Sequence, residues 1–363
     1  MSEPASMRDL LHLPAEWHPQ DAILITWPHL ESDWAENLEA AESVYFDLLG
    51  ALSHSQDVLI QLHQSVDPER LKALFDKEGI NQANCHFVFV DSNDTWARDH
   101  GPITLVHGDG RYIRNFRFNG WGGKFPADKD DALNRAMYDL GVFRDGVAME
   151  DIQSELEGGS LEVDGEGSLL TTKRCLLNPN RSADNQDIAA YENRLSQWLG
   201  LNPERIFWLE HGYLAGDDTD AHIDTLARFA PNGVLVYQSC DQTDDEHFAE
   251  LQAMADELHQ LRTPEGEPYR LIALPWPDAQ FNADGQRLAA SYANFLVTNQ
   301  LVLMPSYGVA QDGAAAERLA EAFPDRRVVS IDCRALIEQG GSLHCITMQI
   351  PAGTLNLRSS YAS

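Results

Sequence analysis

Ala22-Ile23-Leu24-Ile25-Thr26-Trp27, then a helical stretch from Asp33 to Ser53, then Val58-Leu59-Ile60-Gln61-Leu62: this strand, helix, strand order decides the fold class. The two short runs are rich in β-branched and apolar residues, as strands are. The stretch between them opens on an acidic cap residue and is too long to be a strand. The same alternation continues, with strands expected at His86 to Val90, Gly233 to Gln238 and Leu271 to Leu274. Helices are expected at Asp67 to Lys77, Ser182 to Leu199, Asp244 to Arg262 and Gly313 to Phe323. The chain is therefore expected to be α/β. No Pro/Ser-rich linker divides it, and the acidic stretch Asp145 to Glu155 and the turn Thr263 to Pro268 are only dips in composition. One catalytic domain over residues 1–363 is the simpler expectation. No sequence repeat has a fixed period, but modules of similar size recur, which is compatible with a structural repeat.

The chain has 363 residues, 43% of them hydrophobic, enough for a large core and too many for a disordered chain. Lys plus Arg number 26 against 57 for Asp plus Glu, a formal charge of −31. That field repels phosphate backbones and anionic lipid, so nucleic acid and membrane are not expected as partners. It would draw in a cationic substrate, although a solvated acidic surface is the commoner explanation. Five cysteines without close pairs suggest neither a disulfide framework nor a Cys-x-x-Cys zinc site, and they fit a reducing compartment. Met1 to Ala15 carries charges and no apolar core, so it does not read as a signal peptide, and no run approaches membrane-spanning length. A cytoplasmic location is expected.

Four segments carry chemistry. In Gly340-Gly341-Ser342-Leu343-His344-Cys345-Ile346-Thr347 a glycine pair delivers Cys345 to the edge of a β run. Cys345 is the candidate nucleophile, since a thiolate attacks an electron-poor carbon far better than a hydroxyl does; taken alone, it reads as a small buried hydrophobe. Asp94-Thr95-Trp96-Ala97-Arg98-Asp99-His100-Gly101-Pro102 follows a strand and stops at a Gly-Pro turn; alone, it is a turn with a surface Arg98 and Asp99 ion pair. In Asp217-Asp218-Thr219-Asp220-Ala221-His222-Ile223-Asp224, an extended backbone would point His222 and Asp224 to one side, and neighbouring carboxylates would favour the imidazolium. Alternating acids also resemble a calcium loop, but its Gly and terminal Glu are missing. The fourth segment, Glu155 to Gly165, places Glu157 before Gly158-Gly159; a hairpin explains those glycines too, with Glu162 and Asp164 on a solvated strand face.

Together these segments, with Phe118 to Lys124, resemble the agmatine deiminase and Porphyromonas-type peptidylarginine deiminase family of guanidine-modifying enzymes. The matching pieces are Asp94 to Pro102, the Phe-Asn-x-Trp-Gly-Gly-Lys stretch at Phe118 to Lys124, Glu157-Gly158-Gly159, His222-Ile223-Asp224 and the Gly-Gly-Ser-Leu-His-Cys-Ile-Thr segment, in the family's order. The resemblance implies a five-module α/β propeller of pseudo-fivefold symmetry around a narrow acidic pocket. It also implies that Cys345 attacks the guanidinium carbon, that Asp99 and Asp224 take up its N–H groups, and that His222 serves as acid and then base with Glu157 orienting it. By the same resemblance Trp96 packs on the substrate's methylene chain and Asp218 receives the distal ammonium of agmatine. No cofactor or metal is implied, and the partner is a small cationic guanidine; a homo-oligomer is left open.

Arginine-directed members of the family would instead need a spare cation at the substrate's far end, and Arg98, Arg117 and Lys124 are near in sequence. Two positions depart from the pattern: His100 precedes Gly101, and Thr219-Asp220-Ala221 stands where agmatine deiminases commonly have Thr-Asn-Gly. Asp220 brings an additional negative charge beside the pocket. A metal hydrolase could use His222, Asp224, Asp99 and Glu157, but no His-x-x-x-His spacing appears. A cysteine protease would share Cys and His without the local signature around Cys345. Trp27, Trp198, Trp208 and Trp276 are expected as core anchors, and Cys85, Cys175, Cys240 and Cys333 as inert thiols.

Overall fold

The computed structural model describes residues 10–181, 187–358 and 360–361. Strands β1 (Gln20–Thr26), β2 (Asp57–Leu62) and β3 (Cys85–Phe89) pair in parallel, with Leu24 opposite Leu59 and Ile60 opposite Phe87. Ile23, Ile25, Val58 and Ile60 enter one core cluster, while Ala22, Leu24, Leu59 and Val88 enter another. Both faces are thus covered, which is why these runs are apolar without alternation. The helix Leu38–Leu52 closes the first crossover and buries Ala41, Val44, Tyr45, Leu48, Leu49 and Leu52 at helical spacing. It starts later than the sequence suggested, because Asp33–Glu36 forms a separate 3-10 turn in which the Ser32 hydroxyl accepts from the Trp34 N–H. The helix Pro68–Glu78 has Asp67 as its cap and stops at Gly79, whose φ of 71° few other residues adopt readily.

Four further sheets repeat one pattern. They comprise β4 (Ile103–His107), β5 (Gly110–Arg117) and β6 (Ala148–Glu155); β7 (Glu162–Val163), β8 (Leu169–Thr172) and β9 (Ile206–Leu209); β10 (Ala227–Ala230), β11 (Val234–Gln238) and β12 (Arg270–Leu274); and β13 (Leu296–Val297), β14 (Leu301–Ser306) and β15 (Arg327–Asp332). In each, the first two strands are antiparallel and the last two parallel. A helix fills each parallel crossover: Asp128–Asp139, Ile188–Leu199, Phe248–Gln260 and Asp312–Ala322. β16 (Thr347–Pro351) then returns to β1 in antiparallel register, Thr347 opposite Ile25, and β17 (Ser360–Tyr361) adds to β3. The first sheet therefore carries the same antiparallel-then-parallel order through β16, β1 and β2.

The α/β reading holds, and most element boundaries move by a few residues. The first residues of the expected Ser182 to Leu199 helix, 182–186, lie outside the described residues. Asp145 to Glu155 is more than a dip, since β6 occupies most of it with an exposed edge of acidic side chains. Trp27 and Trp276 are buried anchors, whereas Trp198 and Trp208 are half-exposed. Among the described residues no helix is long and apolar enough to cross a membrane.

Candidate active site

The connection entering the antiparallel strand of each sheet carries one or two conspicuous polar groups: Asp99 before β4, Glu157 before β7, His222 and Asp224 before β10, Asn294 before β13 and Cys345 before β16. Hydrogen bonds and ion pairs gather these groups into two clusters, and Asp99 of one and Cys345 of the other line the same cavity.

The first is built on Cys345. A Cβ at Gly341 would overlap the Trp96 ring, so only glycine lets that indole lie on the backbone leading to the cysteine. The Arg98 N–H donates to the Cys345 carbonyl at 3.0 Å, tying the two loops together. The thiol lies 3.5 Å from Asn294 Oδ1 and 3.9 Å from Asp224 Oδ2. Asp224 Oδ2 is held 2.8 Å from His344 Nδ1, while its Oδ1 is buried without a partner. Burial, then the carboxylates of Asp224 and Asp99, hold the Cys345 thiol well above its ordinary pKa, which favours the neutral thiol.

The second cluster is built on His222, whose Nε2 lies 3.4 Å from Glu157 Oε2 and whose Nδ1 lies 3.6 Å from Asp99 Oδ1. Burial alone would strip the ring of its proton, but Asp99, with Cys175 and Glu157 behind it, lifts the His222 pKa well above the ordinary histidine value. Asp99 Oδ1 accepts from the Gly159 N–H at 2.9 Å and Oδ2 from the Trp121 indole at 2.9 Å. Burial, opposed by His222 and reinforced by Asp224 and Glu157, pushes Asp99 up to about 6. Arg181 stands behind Glu157, its Nε 2.8 Å from Oε1, and reaches Asp220 Oδ2 at 2.5 Å.

Cys345, Asp99, Trp96, Trp121 and Asp218 line a cavity of about 510 Å³, with the further acids Asp33, Asp94 and Glu338 on its wall. Asp218 lies against Gly340, a Cβ there falling 3.1 Å from Oδ1, and burial with Asp217 raises its pKa. Arg287 also lines the cavity but is paired with Asp245 at 2.6 Å. The three cations named from the sequence are committed too: Arg98 donates to Gln349 Oε1 at 2.6 Å, Arg117 lies 2.8 Å from Asp131, and Lys124 pairs with Asp220 at 3.1 Å.

Several expectations need correction. Arg98 and Asp99 are both buried, so they are not a surface ion pair. Ile223–Thr225 is a 3-10 turn, so the backbone is not extended; Asp224 turns to His344 while His222 turns to Glu157. Glu162 is not on a solvated face: it is buried against Arg228 at 2.5 Å. Cys175 sits 3.8 Å from Glu157 Oε2, at the histidine's side rather than merely in an apolar run. Glu157, Cys175 and His222 offer three ligand atoms within 4.8 Å of one another, but Arg181 already supplies the cation at Glu157. The charge of Asp220 is met by Arg181 and Lys124. His100 is buried with Nε2 unpartnered, and burial pushes its pKa down to about 3, a neutral ring outside the cavity lining. Asn294, Arg181 and Glu16 were not singled out by sequence; a polar residue beside an apolar run is too common to mark a site.

Comparison with known proteins follows the same lines. The sequence matches the family described as Porphyromonas-type peptidyl-arginine deiminase over residues 12–351. It is 32% identical over 368 residues to a Shewanella protein (strain MR-7) named "Putative agmatine deiminase", with 95% of each chain covered. A crystal structure named "Putative Arginine Deiminase", from Porphyromonas gingivalis, is 44% identical with a TM-score of 0.88, covering 95% of this chain and 99% of that one. A cysteine-to-serine variant of C. jejuni agmatine deiminase with substrate bound is 33% identical with a TM-score of 0.85, covering 94% and 96%. With the match running through nearly every sheet and every segment that lines the cavity, the chain belongs to the Porphyromonas-type peptidyl-arginine deiminase family.

Proposed function

We propose that this enzyme hydrolyses agmatine to N-carbamoylputrescine and ammonia through a covalent adduct on Cys345, and that its five sheets form a pseudo-fivefold α/β propeller around the cavity. The observation that carries the substrate assignment is the charge of the cavity: its wall is acidic, and the cation on it, Arg287, is spent on Asp245. A dication such as agmatine gains from both ends, whereas a carboxylate beside Asp218 would be repelled. Five connections that each bring a polar group to one place support the propeller.

The geometry supports the following sequence of events. Asp99 and Asp224 take the planar N–H groups of the guanidinium, with Asp224 Oδ1 still open for one of them. The arriving cation offsets the carboxylates that keep the thiol protonated, so the thiol releases its proton to water in the cavity as substrate binds. The sulfur attacks the guanidinium carbon and the carbon becomes tetrahedral. The His222 imidazolium gives its proton to the leaving nitrogen, the C–N bond breaks, and ammonia departs from a thiouronium on Cys345. The neutral ring then takes a proton from water, whose oxygen attacks; the C–S bond breaks, the proton left on that oxygen passes to the departing thiolate, and the ureido product leaves. Glu157 keeps the ring oriented, with Arg181 fixing Glu157. Trp96 covers the methylene chain and Asp218 meets the distal ammonium. The mechanism calls on no metal or organic cofactor.

Ammonia release from agmatine, free arginine and a C-terminal arginyl peptide, measured side by side with Cys345→Ala as the blank, tests this reading. Turnover of agmatine alone is expected, with Asp218→Ala raising KM for agmatine. Preference for arginine or the peptide would place the enzyme on the arginine-directed branch, and silence on all three would refute the assignment.

A further inference from the structure

Behind Asp224 the structure buries a chain of charged groups that the reaction above does not use. His344 Nδ1 lies 2.8 Å from Asp224 Oδ2 and His344 Nε2 lies 2.8 Å from Glu16 Oε2. Glu16 in turn meets Arg228 NH2 at 2.5 Å and accepts the Val297 N–H at 2.6 Å, and Arg228 continues to Glu162. All of these side chains are buried. Glu16 comes from the segment before β1, Asp224 from the turn before β10 and His344 from the loop before β16, so three separate parts of the chain converge on one ring.

Proton counting fixes what this arrangement must be. A neutral imidazole has one N–H, so between two ionised carboxylates one of its nitrogens would face an oxygen lone pair to lone pair. Two contacts of 2.8 Å on the two nitrogens require two protons between the three groups. Burial, Arg228 and Arg98 push His344 toward its neutral form, while Arg228 and His344 hold Glu16, against burial, far below its ordinary value. Glu16 and Asp224 pull the other way on the ring, and it is the pair of 2.8 Å contacts, one on each nitrogen, that places the second proton within Glu16, His344 and Asp224. With that proton in place Asp224 Oδ2 is occupied and its charge is held, which leaves Oδ1, without a partner, for the ligand.

We propose that Glu16 and His344 are positioning residues for the deiminase reaction: the ring they share with Asp224 keeps that carboxylate ionised and turned so that its free oxygen receives the cation. This rests on the guanidine reading above. The groups that face the set are Arg228, Arg98 and Glu162 around Glu16 and His344, and His222, Arg228 and the Cys345 thiol around Asp224. If the ring is replaced, Asp224 is left facing buried Glu16 without the intervening charge, and its pKa rises toward neutrality.

The test uses two variants, Glu16→Gln and His344→Gln, and two readouts. In the first, Cys345 is alkylated at pH 7 with chloroacetamidine, a planar cation, and with neutral iodoacetamide, the product being counted by intact mass. The ratio of the two rates is expected to fall about tenfold in His344→Gln, the size of a lost charge-assisted hydrogen bond, and less in Glu16→Gln, where one N–H to Asp224 survives. In the second, the acid limb of kcat/KM for agmatine is expected to move to higher pH in both variants while the plateau above it is recovered. A merely structural role would lower kcat/KM equally at every pH and slow both alkylations alike. An unchanged ratio in whichever variant remains folded overturns the proposal. Because the ratio needs no turnover, a protein inactive on agmatine but selective for the amidine would sink the substrate reading and leave this test intact.

Discussion

Gly159 lies against two groups that the proposed mechanism uses together, His222 and Asp99, and replacing it by alanine is a sharp perturbation of the site. Its backbone φ is not in the left-handed region, so alanine brings no backbone strain; the whole effect comes from the added methyl group. That Cβ would lie 2.5 Å from His222 Nδ1 and 2.7 Å from Asp99 Oδ1, where ordinary contact is about 3.5 Å. One of the two must retreat by about 1 Å, and a displacement of that size at a reacting group costs about a hundredfold in rate, or about 2.7 kcal/mol in the barrier. Gly159→Ala is therefore expected to lower kcat/KM for agmatine about a hundredfold in an ammonia-release assay. Overpacking should cost about 1–3 kcal/mol of stability, leaving a folded protein by thermal unfolding. Gly50→Ala is the matched control: its Cβ meets nothing within 4 Å, it sits in the helix Leu38–Leu52, and it should gain up to about 1 kcal/mol with no change in rate. Turnover by Gly159→Ala within threefold of wild type would refute the reasoning, since His222 and Asp99 would then not be working at their observed separation.

Ala221 adopts φ 67°, where a side chain costs about 1–2 kcal/mol; Ala221→Gly should raise the urea midpoint by about 1 kcal/mol of stability, and no gain would mean the turn is not strained. Arg181→Ala leaves Glu157 and Asp220 without their shared cation and should cost about 3–5 kcal/mol in urea unfolding; a loss under about 1 kcal/mol would count against a buried pair. Because the Cys345 pKa is raised, its reaction with iodoacetamide should be slower than a free thiol's at pH 7 and still climbing above pH 9; a plateau reached near neutrality would show a thiolate already present.

Strands β1 and β2 were legible in the sequence because a strand covered on both faces leaves an unbroken apolar run. Cys345, His222, Glu157 and Asp99 were singled out through the ordered motifs of the family resemblance, since each segment alone had an ordinary explanation; the structure buries all four, with His222 set between Glu157 and Asp99, and Asp99 and Cys345 on one cavity wall. Glu162 misled for a physical reason: Glu-Val-Asp alternates as a half-exposed strand does, and nothing local shows that Arg228 arrives from β10 to bury the acid. Glu16 was illegible on the same grounds, its partners His344 and Arg228 lying hundreds of positions away. The turn at Ile223–Thr225 was misread because period-two alternation of side chains fits a tight turn as readily as a strand over three residues. The return of β16 to β1 is likewise a property of the assembled sheets and leaves no mark in either strand.

That return has a consequence for how the enzyme comes into being. Cys345 stands two residues before the strand that covers the open edge of β1. On a ribosome, β1 is made early and must wait, one edge unpaired, until Thr347–Pro351 emerges. The contact that relieves the exposed edge is also the one that places the Cys345 thiol, so a nascent or truncated chain lacking β16 is prone to self-association and, on the proposed mechanism, inactive. Competence and closure arrive together, late, through a pairing of very long sequence separation, the kind that sets a slow folding step.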